Sequence, residues 1–268
     1  MKICIANRQG STPRPRRVLV LDVGGTHVKF QIGIDGRFAE FESGPKLSAR
    51  KMVGEVLEAT AGWDYEAVSI GYPGLVFHGR IAAEPHNLGP GWTGFDFSRA
   101  FGKPVRLIND AAMQAIGSYE GGRMLFLGLG TGLGAALILD GIVEPMEIGH
   151  MPYKHGRTYE DYVGARGLER LGARKWRKLV AAVVEQMRTV LEVDYVVLGG
   201  GNSKRLKTLP RNSRLGDNRN AFIGGVRLWQ QSDGNPLRSG GGVRGRRVRK
   251  RIGKRMGKRI GKRRSAQR

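Results

Sequence analysis

The residues of this sequence best suited to chemistry lie in three glycine-rich turns and in the polar clusters between them. The first turn, within residues 18–30 (VLVLDVGGTHVKF), ends an apolar run with Asp22, Gly24, Gly25 and Thr26. Glycines there can adopt backbone angles closed to other residues and let an anion approach the amides. Thr26 adds a hydroxyl, and Asp22 stands where a carboxylate can hold a magnesium ion or its waters beside a phosphate. Taken alone, the stretch also reads as a plain β-hairpin with a glycine turn. The second turn spans residues 128–134 (GLGTGLG) and contains Gly130, Thr131 and Gly132. Thr26 precedes Asp35 by nine residues, and Thr131 precedes Asp140 by nine. The pattern of strand, Gly/Thr turn, strand, Asp-Gly turn thus occurs twice, and chance would have to supply both the turn chemistry and the spacing. Two facing hairpins of this kind can clamp a phosphate chain from both sides. The third turn, Gly199, Gly200 and Gly201, precedes a short helix and permits close approach of a flat or phosphorylated ligand.

The elements that must position these turns alternate between strand and helix, which predicts an α/β fold. A helix is expected over 48–61 with Met52, Val53, Val56 and Leu57 on one face. A buried strand over 67–71 runs into Tyr72-Pro73-Gly74, a rigid turn at a strand's end, where open α/β sheets place ligand groups. Residues 75–97 are loop-rich, and Pro85-His86-Asn87-Leu88 and Gly91-Trp92 read as ordinary surface turns. A strand over 104–108 enters Asn109-Asp110, followed by a helix over 111–119. The longest apolar stripe, over 175–193, comprises Trp176, Leu179, Val180, Val183, Val184, Met187, Val190 and Leu191 and belongs to core. A strand over 194–198 and a last helix within 216–229, starting near Asn218 or Asn220, complete the pattern.

Composition narrows the class. The chain has 268 residues, enough for one large or two small domains with a substantial core. Its formal net charge of +23 favours polyanionic partners such as nucleic acid, polyphosphate or acidic lipid. Fifteen of the Lys and Arg residues and no acid fall within 238–268, which leaves +8 on the remainder. Low-complexity repeats and self-repulsion predict disorder for that tail, and a tether for polyanions is its functional reading. Cys4 is the only cysteine, which excludes an intramolecular disulfide and a cysteine-rich zinc module. No apolar stretch approaches a membrane span and no signal-peptide core is evident, so a cytoplasmic location is expected.

In order, Asp22-Val-Gly-Gly-Thr26, Pro73-Gly74, Asn87-Leu88, Asn109-Asp110, Leu129-Gly-Thr-Gly-Leu-Gly134, Glu147-Ile-Gly-His150 and Leu198-Gly-Gly-Gly201 resemble the motifs of the ROK sugar kinases. Within that family the chain is most similar to the polyphosphate glucokinases, over residues 17–231. The resemblance implies the actin-like ATPase (ribonuclease H-like) fold, two α/β domains around a cleft, and a homodimer. It divides the chain into a flexible leader (1–16), an N-terminal domain (17–108), a C-terminal domain (109–231) and the basic tail (232–268).

It further implies phosphorylation of the 6-hydroxyl of glucose, with mannose as another hexose, from ATP or polyphosphate with Mg2+. Asp110 would be the general base, taking the hydroxyl proton as the oxygen attacks. Asp110 also reads as a cap for the helix starting at Ala111, and the two roles can coexist. Gly74, Asn87, Asn109, Asp110, Glu147, His150 and Glu160 would hold the sugar, whose hydroxyls both donate and accept. Glu160 also reads as a helix-start acid, and His150 as a loop histidine. Asp22 (through water to Mg2+), Gly24, Gly25, Thr26, Lys29, Gly130, Thr131 and Gly132 would serve phosphate and metal, and Gly199, Gly200 and Gly201 the nucleotide. Many family members carry a cysteine-rich zinc site after Glu-x-Gly-His; residues 152–159 hold no cysteine, so no zinc is expected. A non-catalytic sugar-sensing or polyanion-binding protein of the same fold is the alternative function.

Overall fold

The structure is a computed structural model that describes residues 17–217 and 219–230. The expected leader and basic tail, and Asn218, lie outside the described residues.

The chain opens with three antiparallel strands, β1 (Val18–Val23), β2 (His27–Ile32) and β3 (Phe38–Glu42), followed by helix α1 (Ala49–Ala59). Ser48 caps α1, its side chain accepting from the Lys51 amide. Met52, Val53 and Val56 are buried as expected, but Leu57 faces solvent: at 38% exposure it lies off the buried stripe. Strand β4 (Ala67–Tyr72) is followed by a small hairpin, β5 (Val76–Phe77) and β6 (Arg80–Ile81), then α2 (Phe97–Phe101), β7 (Val105–Asn109) and α3 (Asp110–Ser118). Strands β8 (Arg123–Leu129), β9 (Leu133–Leu139) and β10 (Ile142–Met146) form a second antiparallel trio. After it come a 3-10 turn (Ile148–His150), the short pair β11 (Pro152–Lys154) and β12 (Arg157–Thr158), α4 (Glu160–Val163) and α5 (Ala165–Val190). The last elements are β13 (Tyr195–Gly199), a 3-10 turn (Gly201–Arg205), β14 (Ser213–Leu215) and α6 (Asn220–Arg227).

The two sheets share one topology, β3-β2-β1-β4-β7 and β10-β9-β8-β13-β14, antiparallel in the hairpins and parallel thereafter. The repeat read from nine-residue spacing is therefore a duplicated sheet. Side-chain alternation follows the same rule in both copies. In β1, Leu19, Leu21 and Val23 enter a core with α1, while Val18 and Val20 meet Ala221 and Phe222 of α6. In β8, Leu125, Leu127 and Leu129 enter a core with α5, while Met124 and Phe126 meet Ala112, Ala115 and Ile116 of α3. Both central strands are buried on two faces, which explains their near-continuous apolar sequence.

The last helix of each half packs on the opposite sheet as well as on its partner: α3 lies on β8 and β9, and α6 on β1 and β4. The two helices cross at glycine. A Cβ on Gly117 would fall 1.8 Å from the Asn220 carbonyl oxygen, and one on Gly224 1.8 Å from that of Met113.

Three expectations change. The turn expected over 128–134 is only Gly130–Gly132, because β8 continues to Leu129 and β9 starts at Leu133. The long helix begins at Ala165 rather than Lys175, and is two helices joined at Gly172, whose φ of 71° no ordinary helical residue adopts. Val190, counted in its stripe, is 70% exposed at the helix end. The loop at 75–97 is not a run of surface turns: Trp92 is fully buried, donating through Nε1 to the Leu47 carbonyl, and the Glu84 carboxylate accepts from the Trp92 and Thr93 amides.

Candidate active site

Register places the site. Asp22 pairs with Gly71 across β1 and β4, and Tyr72 with Asn109 across β4 and β7. Asp22, the Pro73-Gly74 turn and Asn109-Asp110 therefore emerge together at the carboxyl ends of parallel strands, where open α/β sheets hold ligands. In the second sheet Gly128 pairs with Gly199, which brings the glycine hairpin and the third glycine turn side by side.

These ends enclose a cavity of about 270 Å³. Its wall includes Gly25, Gly74, Asn87, Asn109, Asp110, Gly130, Thr131, Gly132, Glu147, His150, Glu160 and Gly200. Asp22, Gly24, Thr26, Lys29, Gly199 and Gly201 are not among the wall residues. A larger cavity of about 620 Å³ lies by Trp92, Phe95 and Phe97, shares no wall residue with the first, and contains none of the motif residues.

Asn109 caps α3: its Oδ1 accepts from the Ala112 amide at 3.0 Å, and its Nδ2 donates to the Gly74 carbonyl at 3.1 Å. The cap role considered for Asp110 thus belongs to its neighbour. Asp110 is the first helical residue, accepting from the Ala111 amide at 2.7 Å. Burial pushes its carboxyl up to about 7; the charges of Asp22 and Glu147 add to the rise, and the Ala111 amide opposes it. Asp22 is raised to about 6 by burial, which the facing Lys29 ammonium partly offsets. Both carboxyls therefore hold their protons to higher pH than an exposed carboxylate, and a nearby cation would lower both.

On the opposite side, the 3-10 turn at Ile148–His150 folds the Glu-x-Gly-His motif back on itself. His150 Nδ1 lies 3.3 Å from Glu147, its Nε2 3.8 Å from Glu160, and Glu160 is held by Arg166 at 3.0 Å. Glu160 is the least exposed of these, and it starts α4 while facing the cavity, so its helix-start position and its place in the wall coexist.

The glycines act here mainly through space. Gly24 and Gly25 have ordinary backbone angles, contrary to the expectation of special ones; a Cβ on Gly25 would press on Asn87 at 3.3 Å. A Cβ on Gly132 would strike Glu160 at 2.5 Å. Gly200 does need its freedom: φ 78° and ψ 159° lie in a region essentially closed to other residues. The hairpin tip is fixed by Asn202 Nδ2 and the Ala165 amide, both donating to the Gly130 carbonyl.

Two polar side chains of the wall, His86 and Gln114, lay outside the sequence expectations. His86, beside Asn87, places its ring centroid 6.3 Å from that of His150. Gln114 lies one turn after Asp110 on α3. Helical spacing from Asp110 was the available signal for Gln114; adjacency to Asn87 was the one for His86.

A duplicated sheet with facing hairpins, strand-end carboxylates and crossed helices defines the actin-like ATPase class. The chain belongs to the ROK family, whose model matches residues 18–167. Kanosamine kinase from Amycolatopsis mediterranei is 32% identical over 162 residues, 52% of this chain and about half (53%) of that protein's length. Polyphosphate glucokinase from Mycobacterium tuberculosis is 26% identical over 215 residues, covering 69% of this chain and 77% of that one. The crystal structure of inorganic polyphosphate/ATP-glucomannokinase from Arthrobacter sp. strain KM matches with a TM-score of 0.68 at 23% identity, over 80% of this chain and 98% of that one. At that identity the structural likeness speaks for the fold alone.

Proposed function

We propose that this chain is a hexose kinase that transfers a terminal phosphoryl group from ATP or polyphosphate to the 6-hydroxyl of glucose, with mannose as a second substrate. The observation that carries the reading is one small cavity whose wall brings Asp110, Asn87, Asn109, Glu147, His150 and Glu160 together with the Gly130–Thr131–Gly132 tip. Its volume suits a compact polar molecule. Carboxylates, amides and an imidazole supply the mixed donors and acceptors that sugar hydroxyls require.

In this mechanism Asp110 accepts the 6-hydroxyl proton as that oxygen bonds to the terminal phosphorus and the bond to the leaving phosphate breaks. Glu147 and Glu160 accept from sugar hydroxyls, and His150, oriented by both, fixes their geometry. Gly25 and the Gly130–Gly132 backbone present the donor phosphates, with Gly199–Gly201 on the nucleotide side. The paired carboxyls of Asp22 and Asp110, both raised by burial, suit a nearby cation, so Asp22 would hold Mg2+ through water. When bound, that ion neutralises charge on the donor phosphates.

The relatives named for polyphosphate and ATP motivate the dual donor, as does the +8 charge that remains outside residues 238–268. A homodimer is part of the same proposal, checked by light scattering. The test of function is a hexose panel crossed with ATP and polyphosphate, with Mg2+ present and then withheld. Hexose 6-phosphate formed from each donor supports the reading. No product from any combination favours a sugar-sensing or polyanion-binding protein, and absence of turnover with polyphosphate alone removes the dual donor.

A further inference from the structure

Gln114 stands one helical turn beyond Asp110 on α3, so the two side chains share a face of that helix. Both line the cavity, and Gln114 does so in company with Phe126, Gly128 and Gly200. Its side chain reaches from the helix that ends the first sheet to the glycine loop that leaves the second. Gln114 Oε1 lies 3.4 Å from where a Cβ on Gly199 would stand. Around it α3 is apolar and buried, with Ala111, Ala112, Met113, Ala115 and Ile116. Among the described residues its carboxamide makes no hydrogen bond, while its backbone carbonyl accepts from the Ser118 hydroxyl. Half-buried and open to the cavity, the amide is placed to meet a ligand there.

We propose that Gln114 is a donor-side contact, whose carboxamide N–H groups hold an oxygen of the phosphoryl donor beside Asp110. The inference rests on the kinase reading above and goes beyond it by naming this residue. Its location separates it from the sugar set. Glu147, His150 and Glu160 sit with one another, whereas Gln114 sits against the glycines of β8 and of the third turn. Apart from the Phe126 ring, that part of the wall is glycine backbone, which lets a phosphate approach the main chain. Phosphate oxygens only accept, and an amide supplies two donors without adding charge next to a carboxylate already pressed by Asp22.

Two substitutions separate a hydrogen-bonding role from packing. Gln114→Met keeps length and volume but removes the donors; Gln114→Glu keeps the shape and places negative charge beside the phosphates. Steady-state kinetics are measured with ATP and then polyphosphate varied at saturating hexose, and then with hexose varied. ADP binding is titrated by calorimetry in parallel, and thermal melts report folding. Gln114→Met is expected to raise the donor KM and the ADP Kd roughly 10- to 100-fold, with the hexose KM within about twofold, as for loss of one hydrogen bond to a charged group. Gln114→Glu should raise them further. Unchanged donor KM and ADP Kd in both folded variants, or an equal rise in hexose KM, overturns the assignment. If the unaltered protein phosphorylates no hexose, the kinase reading fails by itself, and the ADP titration still decides Gln114.

Discussion

At the scale of single residues, Asp110 and Asp22 are the carboxyls that burial raises, to about 7 and about 6, well above the unfolded value. The folded chain therefore binds more protons than the unfolded chain between about pH 4 and pH 7, so stability falls as pH rises through that window. Asp110→Asn removes one such group. We expect it to melt higher than the unaltered protein at pH 8, by about 2–4 °C for each kcal/mol recovered, and the gain to vanish towards pH 4. A variant that melts lower at pH 8 would contradict the electrostatic account of the site. Activity has the opposite sign, because a general base must be deprotonated: kcat/KM should fall about tenfold per pH unit below about 7. A flat kcat/KM between pH 5.5 and 7.5 would exclude Asp110 as the base.

At the scale of elements, the helix crossing and the glycine turns determine whether the site forms. Gly117→Ala puts a methyl group into the Asn220 carbonyl. Backbone on both sides leaves it little room, so we expect destabilisation at or beyond the upper end of the ~1–3 kcal/mol typical of overpacking, read from denaturant melts. Gly54→Ala, on the open side of α1, should instead be neutral or slightly stabilising in the same melts. Most elements were legible in the sequence because strand alternation and helical spacing are local. The crossing was not, since Gly117 and Gly224 look like weak points in helices until a second backbone lies against them. For the same reason Trp92 read as part of a surface turn: its burial depends on the Leu47 carbonyl, forty-five residues away. The Asp110 cap was misplaced by one residue, because Asn109 and Asp110 are both good caps and only the backbone angles choose between them. His86 and Gln114 escaped notice because neither carries a motif; a residue enters this wall through what faces it across the cavity.

At the scale of the whole molecule, duplication and charge matter most. The duplicated sheet explains why two Gly/Thr hairpins recur at identical spacing, and their convergence on one cavity is the reason the family motifs lie so far apart in the chain. None of the described helices is long and apolar enough to cross a membrane. The net charge of +23 predicts polyanion binding that weakens with salt. Removing residues 243–268 should flatten the slope of log affinity for polyphosphate against log salt and leave the ATP KM within about twofold. An unchanged slope would assign polyphosphate binding to the folded part alone.

The proposed role of Asp110, taking the proton of a hexose hydroxyl inside this cavity, is open to one direct comparison. Asp110→Asn preserves shape and the hydrogen bond from Ala111, so hexose binding by calorimetry and kcat by product formation can be compared in one variant. The account predicts a hexose Kd within about threefold of the unaltered protein and kcat lower by about 10²–10⁴-fold. Retention of kcat to within a factor of about three, with binding intact, would contradict it.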